Sequence, residues 1–393
     1  MVDSLDTSPA SLRQRLGPLL LIVGLFFFNV FGRSIFSPIL LDIEREFGIS
    51  HTVSSRFFLM ITLGYAVSIV CSGFISSRIM HRRTIALSSM LIGCSMIIIG
   101  FAPVLPLVHG GLLLMGAGAG LYPPSGLTVI TDMIERKDWQ KALAVHELGP
   151  HVAMMAVPLY AAAVLTLSTW RMVMVSSGIL ACITALVFLL RVKVGNTPGE
   201  PPTLSNMGIL FKIPSFWIMM LLFGLALSSI QGIYLLIPTF MVTEGGFTQQ
   251  QAHTIFGISR FLPIAALLTA GFVLDRFGVK RTIFSVIFIA GITIALLGIL
   301  QGPWLALMIF LQPAVGALFF PAGVSAVSLI GPPRTRNVAF SMLLPFASFL
   351  GTGGIPAFIG YMGDHVSFAA GFLVVGIVTS LCAVLTCMLN IKE

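Results

Sequence analysis

Arg33 and Arg260 each stand deep inside a long apolar run, where an ionisable side chain is costly and therefore points to function. A guanidinium there presents a planar fork of donors that suits a carboxylate or a similar oxyanion. Asn29 one turn before Arg33, together with Tyr65, Tyr122, Gln231 and Tyr234, supplies the polar groups that would complete such a site. Each of these also fits a hydrogen-bonded core group. Glu147 is flanked by His146 and His151 in the stretch HELGPH. Glu147 and His151 are one helical turn apart and can share a proton, with Gly149 and Pro150 loosening the backbone between them. The competing reading makes Glu147 an interfacial charge that pairs with Lys141. Zinc chemistry is not expected, because His146 and His151 would lie about 140° apart around a helix. The cysteines Cys71, Cys94, Cys182, Cys382 and Cys387 all fall in apolar runs without CxxC spacing, so neither a disulfide framework nor a metal site is expected. Gly116-x-Gly-x-Gly120 imitates a phosphate-binding loop, but no strand precedes it, and close helix packing by small residues is the expectation. No cofactor is implied and no nucleophile constellation suggests an enzyme.

The elements that must carry these groups follow from composition. Of 393 residues, 57% are hydrophobic and 9% charged, and mean hydropathy is +1.02. Soluble domains carry roughly 25% charged residues, so a soluble globule is excluded. At about 20 residues per span the chain has room for roughly a dozen membrane helices. A transmembrane β-barrel would need alternating segments of about 10 residues, whereas these runs are continuous and longer. Apolar runs predict helices over roughly 17–40, 56–77, 85–105, 107–131, 142–165 and 172–190, then over roughly 216–240, 253–274, 283–301, 304–330, 338–361 and 367–389. The division this implies is a six-helix bundle over residues 1–190, a cytoplasmic linker over 191–212 and a second bundle over 213–393. At roughly 1.5 Å per residue, Arg33 and Arg260 lie about 24 Å and about 22 Å from the cytoplasmic ends of their helices. Arg33 is also near enough to the outer end to snorkel to the interface.

Of the 22 Lys and Arg, only Arg45, Arg56 and Arg171 fall outside if the N-terminus is cytoplasmic; apart from Arg33 and Arg260, the rest fall inside. That asymmetry puts both termini in the cytoplasm and accounts for the net charge of +8 without nucleic acid as a partner. Trp170, Trp217 and Trp304 fall at helix ends, as an interfacial aromatic belt requires. The chain also repeats itself. Residues 73–85, GFISSRIMHRRTI, match residues 271–283, GFVLDRFGVKRTI, and in that register Gln231 stands opposite Arg33. Two such halves in parallel orientation are an arrangement found in transporters.

With these motifs the chain resembles the major facilitator superfamily of secondary transporters over essentially its whole length. The superfamily's loop after the second helix of each half reads Gly-x-x-x-Asp-Arg-x-Gly-x-(Lys/Arg)-(Lys/Arg). Gly271, Asp275, Arg276, Gly278, Lys280 and Arg281 match it in the second half. In the first half Gly73 and Arg78 match, whereas Ser77 replaces the acid and Met80 the second glycine. The resemblance implies twelve helices in two pseudo-symmetric bundles, and it implies that these loops latch the cytoplasmic helix ends together in the outward-facing state. Asn29-Val-Phe-Gly-Arg33-Ser-Ile-Phe-Ser-Pro38, followed by Glu46-Phe-Gly-Ile-Ser50, resembles the first helix of organic anion transporters within that superfamily, where an Arg at the Arg33 position engages substrate carboxylate. Gly32 replaces the acid usual before that Arg. The implied function is proton-coupled symport of a small organic anion through Arg33 and Arg260, with Glu147, His151 and His146 as the proton site. The expected protein is a monomer in the plasma membrane, the inner membrane of a bacterium. The rival reading is a drug or metabolite efflux pump of the same fold, working by proton antiport.

Overall fold

The computed structural model describes residues 10–199, 210–330 and 336–391. Twelve helices in it are long and apolar enough to cross a membrane: α1 Leu16–Phe47, α2 His51–Ile79, α3 His81–Gly100, α4 Leu105–Met133, α5 Arg136–Leu165, α6 Trp170–Arg191, α7 Pro214–Thr243, α8 Gln249–Phe277, α9 Val279–Leu297, α10 Gly302–Ser328, α11 Met342–His365 and α12 Phe368–Met388. The fold is an all-α multi-pass membrane fold of two six-helix halves. Most spans run a few residues beyond the apolar stretches because polar caps and charged ends continue the hydrogen-bond ladder past the hydrocarbon. Below, the ends on the side of the α1 N-terminus are called near and the others far.

Three spans are interrupted for a single residue: α1 at Ile35, α8 at Arg260 and α10 at Leu318. Each interruption is followed three residues later by a proline, Pro38, Pro263 and Pro321. A proline cannot donate to the carbonyl four residues earlier, and its ring crowds that carbonyl. The carbonyls so released belong to Ser34, Ser259 and Ala317, each the last residue of its helical segment. Two spans widen instead into a π turn, Ser228–Gly232 in α7 and Phe349–Gly354 in α11. The two turns cross backbone to backbone: a Cβ on Gly232 would lie 2.0 Å from the Gly351 carbonyl oxygen, so only glycine fits.

By packing, the chain divides into two compact units, Met1–Ile35 with Leu63–Pro202 and Phe36–Thr62 with Thr203–Glu393. The boundary within α1 falls at its interruption. The far segment Phe36–Phe47 and the first part of α2 therefore belong with the second repeat half, a grouping different from the division at 190 and 213. Ser37 Oγ donates to the Tyr234 carbonyl at 3.1 Å, His253 Nε2 donates to the Pro38 carbonyl at 2.9 Å, and Gln249 Nε2 donates to Asp42 at 2.8 Å. In the first unit, Gly118 and Gly120 are packing glycines: a Cβ on Gly120 would meet the Tyr65 carbonyl of α2 at 2.5 Å, and one on Gly118 the Ser88 carbonyl of α3 at 3.0 Å. Of the expected linker, residues 200–209 lie outside the described residues. Residues before them are tied to the α2–α3 turn, where the amides of His81 and Arg82 donate to the carbonyls of Thr197 and Gly195 at 3.1 and 2.9 Å. Trp217 and Trp304 are exposed near helix starts, as a belt requires, but Trp170 is buried and stacks with Arg171.

Candidate functional site

In the second unit the interruption of α8 places Arg260 in the interior, 4% exposed. Its guanidinium carbon lies 4.5 Å from the centre of the Tyr234 ring and 4.6 Å from that of Phe256. Nε and Nη2 are buried with no hydrogen-bond partner, and among the described residues no carboxylate pairs with this arginine. Two aromatic faces return part of the lost hydration. They leave the planar donors free for an incoming acceptor. Gln231 is half-buried in the π turn of α7, one helical turn from Tyr234. A second amide, Gln312 of α10, is fully enclosed and donates from Nε2 to the carbonyl and hydroxyl oxygens of Ser229 at 2.7 and 2.8 Å. Nothing in the sequence singled it out, because its partner is distant in the chain.

In the first unit Arg33 sits two residues before the interruption of α1, half-buried. Its Nε donates to the Asn29 carbonyl at 3.3 Å, and its guanidinium carbon lies 5.2 Å from the centre of the Tyr65 ring. Asn29 is completely buried. It donates from Nδ2 to the Ala119 carbonyl at 3.0 Å, while its Oδ1 has no partner. Arg33 likewise pairs with no carboxylate among the described residues. Both units thus hold an arginine over a tyrosine ring, beside a proline-induced interruption and without a counter-ion among the described residues.

Tyr122, expected beside Arg33, serves a different group. Its hydroxyl donates to the Ile22 carbonyl at 3.0 Å and lies 2.9 Å from His146 Nε2. With the hydroxyl proton committed to the carbonyl, Nε2 is the donor of the second bond. Nδ1 is then the nitrogen left to accept a proton, and it lies 3.4 Å from Glu147 Oε1. Phe26 stacks on the imidazole with ring centres 4.4 Å apart and holds its plane. His146 is buried while the Glu147 side chain is 54% exposed. The sharing of a proton between Glu147 and His151 is not what the geometry has: His151 Nδ1 donates to the Glu147 main-chain carbonyl at 2.8 Å. A residue one turn along finds the backbone oxygen first, and the carboxylate turns to its buried neighbour.

Because α1 continues to Phe47, Asp42 and Glu44 are helical, and Glu44 is 7% exposed. Ser54 Oγ donates to Glu44 Oε1, and His51 Nδ1 lies 2.9 Å from Oε2. Two further acids bind helix N-termini at the far ends. Asp364 accepts from the amides of His51 and Thr52 at 3.0 and 2.6 Å, and Glu244 accepts from those of Phe368 and Ala369 at 2.5 and 2.9 Å. The sequence hid this group because its members come from α1, α2, α7 and α11.

At the near ends the repeated loops differ. Gly278 turns the chain between α8 and α9 at φ 76°, and Met80 does the same between α2 and α3 at φ 70°. Met80 thus adopts a glycine conformation without being glycine. Gly73 is half-buried and Arg78 exposed; Ser77 Oγ donates to the Phe74 carbonyl at 2.8 Å. Gly271, Asp275 and Arg276 are exposed, and among the described residues Asp275 and Arg276 make no ion pair.

No curated protein sequence matches this chain. The sequence model of the Major Facilitator Superfamily matches residues 22–259 and 225–392. A bacterial homologue of the human lysosomal transporter Spinster, in an inward-facing and occupied conformation, shares the fold at TM-score 0.79 and 16% identity, with 97% of each chain covered. A POT family transporter in complex with a thioalcohol-conjugated peptide aligns at TM-score 0.80 and 13% identity, covering 97% of this chain and 98% of its own. A D-xylose–proton symporter aligns at TM-score 0.76 and 15% identity over 94% and 96%. With the sequence model spanning nearly the whole chain, the protein belongs to the Major Facilitator Superfamily.

Proposed function

We propose that the protein carries a small organic anion of the carboxylate class across the plasma membrane by alternating access, with both termini cytoplasmic, as a proton-coupled symporter. The observation that carries this reading is the Arg260 guanidinium, buried with two nitrogens unpartnered and paired with no acid among the described residues. An uncompensated cation in the interior is destabilising by several kcal/mol, and an anionic ligand removes that penalty. A cationic cargo would increase it. Arg33 supplies a second guanidinium of the same kind in the first unit. The proton site is the His146–Glu147 pair: Tyr122 and Phe26 hold the ring, and a proton taken up at Nδ1 is stabilised by the exposed carboxylate.

The test is binding and uptake by the purified chain. Thermal-shift titration with carboxylates, sulfonates and cationic dyes should show stabilisation by anions only, and the stabilising anion should accumulate in proteoliposomes under an inward proton gradient. Stabilisation by cationic dyes with none by anions overturns the reading.

A further inference from the structure

We propose that Glu44 and His51 form a proton-binding site at the far ends of α1 and α2, and that the bound proton holds those ends against α7, α11 and α12. The site shares no residue with the arginines or with the His146–Glu147 pair, and it needs no transported anion. It uses the proposed orientation only to say which solution supplies the proton.

Acids outnumber the bases that could pair with them around His51. Glu44 is buried, yet among the described residues its carboxylate meets only the Ser54 hydroxyl and the His51 imidazole. The same imidazole faces Asp364 of α11 and Glu244 at the end of α7, and its ring meets the Phe368 edge with centres 4.9 Å apart. Both of those acids are committed to amides, Asp364 to the first turn of α2 and Glu244 to the first turn of α12. Three carboxylates from three elements therefore surround one imidazole. The other charged groups of these ends do not relieve them: Arg45 is mostly exposed and turns to Asp42, Arg56 is exposed, and His365 donates to the Tyr361 carbonyl.

With a proton on the pair, the buried Glu44 carboxylate is neutralised and Asp364 gains an opposite charge. Without it, Glu44 stays buried as a bare anion near two more acids. A buried anion without its counter-charge is unfavourable, and the cheapest relief is to let water in by separating the α1 and α2 ends from α7, α11 and α12. Imidazole titrates near neutrality, so the switch falls within the range a membrane protein meets. The proton comes from the far-side solution and returns there when the ends part, or leaves by the near side if the chain has changed state meanwhile.

The test uses full-length protein in nanodiscs, without substrate. All five native cysteines are replaced by serine. Thr239→Cys reports opening, since Thr239 of α7 is buried beside Pro38 and Leu41. Leu167→Cys, in a fully accessible loop, is labelled in parallel to cancel the ionisation of the thiol itself. Normalised labelling should rise several-fold from acid to mildly alkaline pH, because the closed ends hold the proton more tightly than the open ones. His51→Gln should label fast at every pH, and Glu44→Gln slowly at every pH. Opposite, flat responses exclude a general loss of folding as their cause. A flat wild type, a wild-type slope kept in His51→Gln, or both variants shifting the same way overturns the proposal. Carboxylate binding measured on the same samples separates this result from the anion reading, which stands or falls on Arg260.

Discussion

Arg260 bears the largest electrostatic cost among the residues of the candidate site, and its neighbours define what its removal should do. Arg260→Lys keeps the charge and the two ring contacts but loses the planar fork, and Arg33→Lys does the same over Tyr65. Losing a charge-assisted contact of about 1.5–3 kcal/mol weakens anion binding roughly 10- to 100-fold. Titration calorimetry on folded variants checks this, and wild-type affinity in either variant removes that arginine from the site. Glu147→Gln makes a separate prediction. It removes the counter-charge 3.4 Å from His146 without touching the Tyr122 and Phe26 contacts. Proton-driven accumulation should stop while substrate exchange persists, because exchange needs binding and rearrangement but no net proton. Accumulation against a gradient by this variant would show that the proton binds elsewhere.

At the scale of elements, prolines set where side chains are presented. Pro38, Pro263 and Pro321 each free the carbonyl that ends the preceding segment, so the interruptions of α1, α8 and α10 are encoded locally. Two of the three lie beside the candidate arginines. The α2–α3 turn shows the reverse, a backbone conformation kept although its residue resists it. Met80 holds φ 70° and ψ 155°, a region open to glycine almost alone. Met80→Gly should therefore stabilise the folded chain by about 1 kcal/mol, the strain relieved less the added flexibility of glycine when unfolded. Gly278→Met should destabilise by a similar amount. Thermal unfolding of both variants in one detergent decides it; a lower melting temperature for Met80→Gly contradicts the strain.

For the whole molecule, the two ends of the spans in the second unit differ in how they are held. The far ends are joined by Glu44, Asp364 and Glu244 to imidazole and amides, whereas Asp275 and Arg276 at the near end are exposed. A near-end latch that needs a carboxylate then depends on Asp275, since the first repeat has Ser77, whose hydroxyl is satisfied within its own helix. Asp275→Asn should shift the resting population several-fold toward the form open at the near end, and Ser77→Ala should leave it unchanged. Because a ligand redistributes states only through its differential affinity, Asp275→Asn should also respond less to an inhibitor that binds from the far side. Cysteine accessibility at both ends of each variant measures this. Equal labelling in the two variants contradicts an asymmetric latch.

Composition, continuous apolar runs and the internal repeat by themselves determined the fold: hydrocarbon demands about 20 apolar residues per crossing, and that demand is written along the chain without reference to any distant contact. The same rule marked Arg33, Arg260 and the HELGPH stretch, because an ionisable group inside such a run stands out in one dimension. What pairs with what was decided only in three dimensions. Tyr122 binds His146 rather than completing an arginine site, and Glu147 faces His146 rather than His151. Glu44 lies past the apolar run of the first helix, and the groups around it and His51, from α2 and the ends of α7 and α11, come from distant parts of the chain. Burial and hydrogen-bond partners depend on residues hundreds of positions apart, and no local pattern along the chain records them.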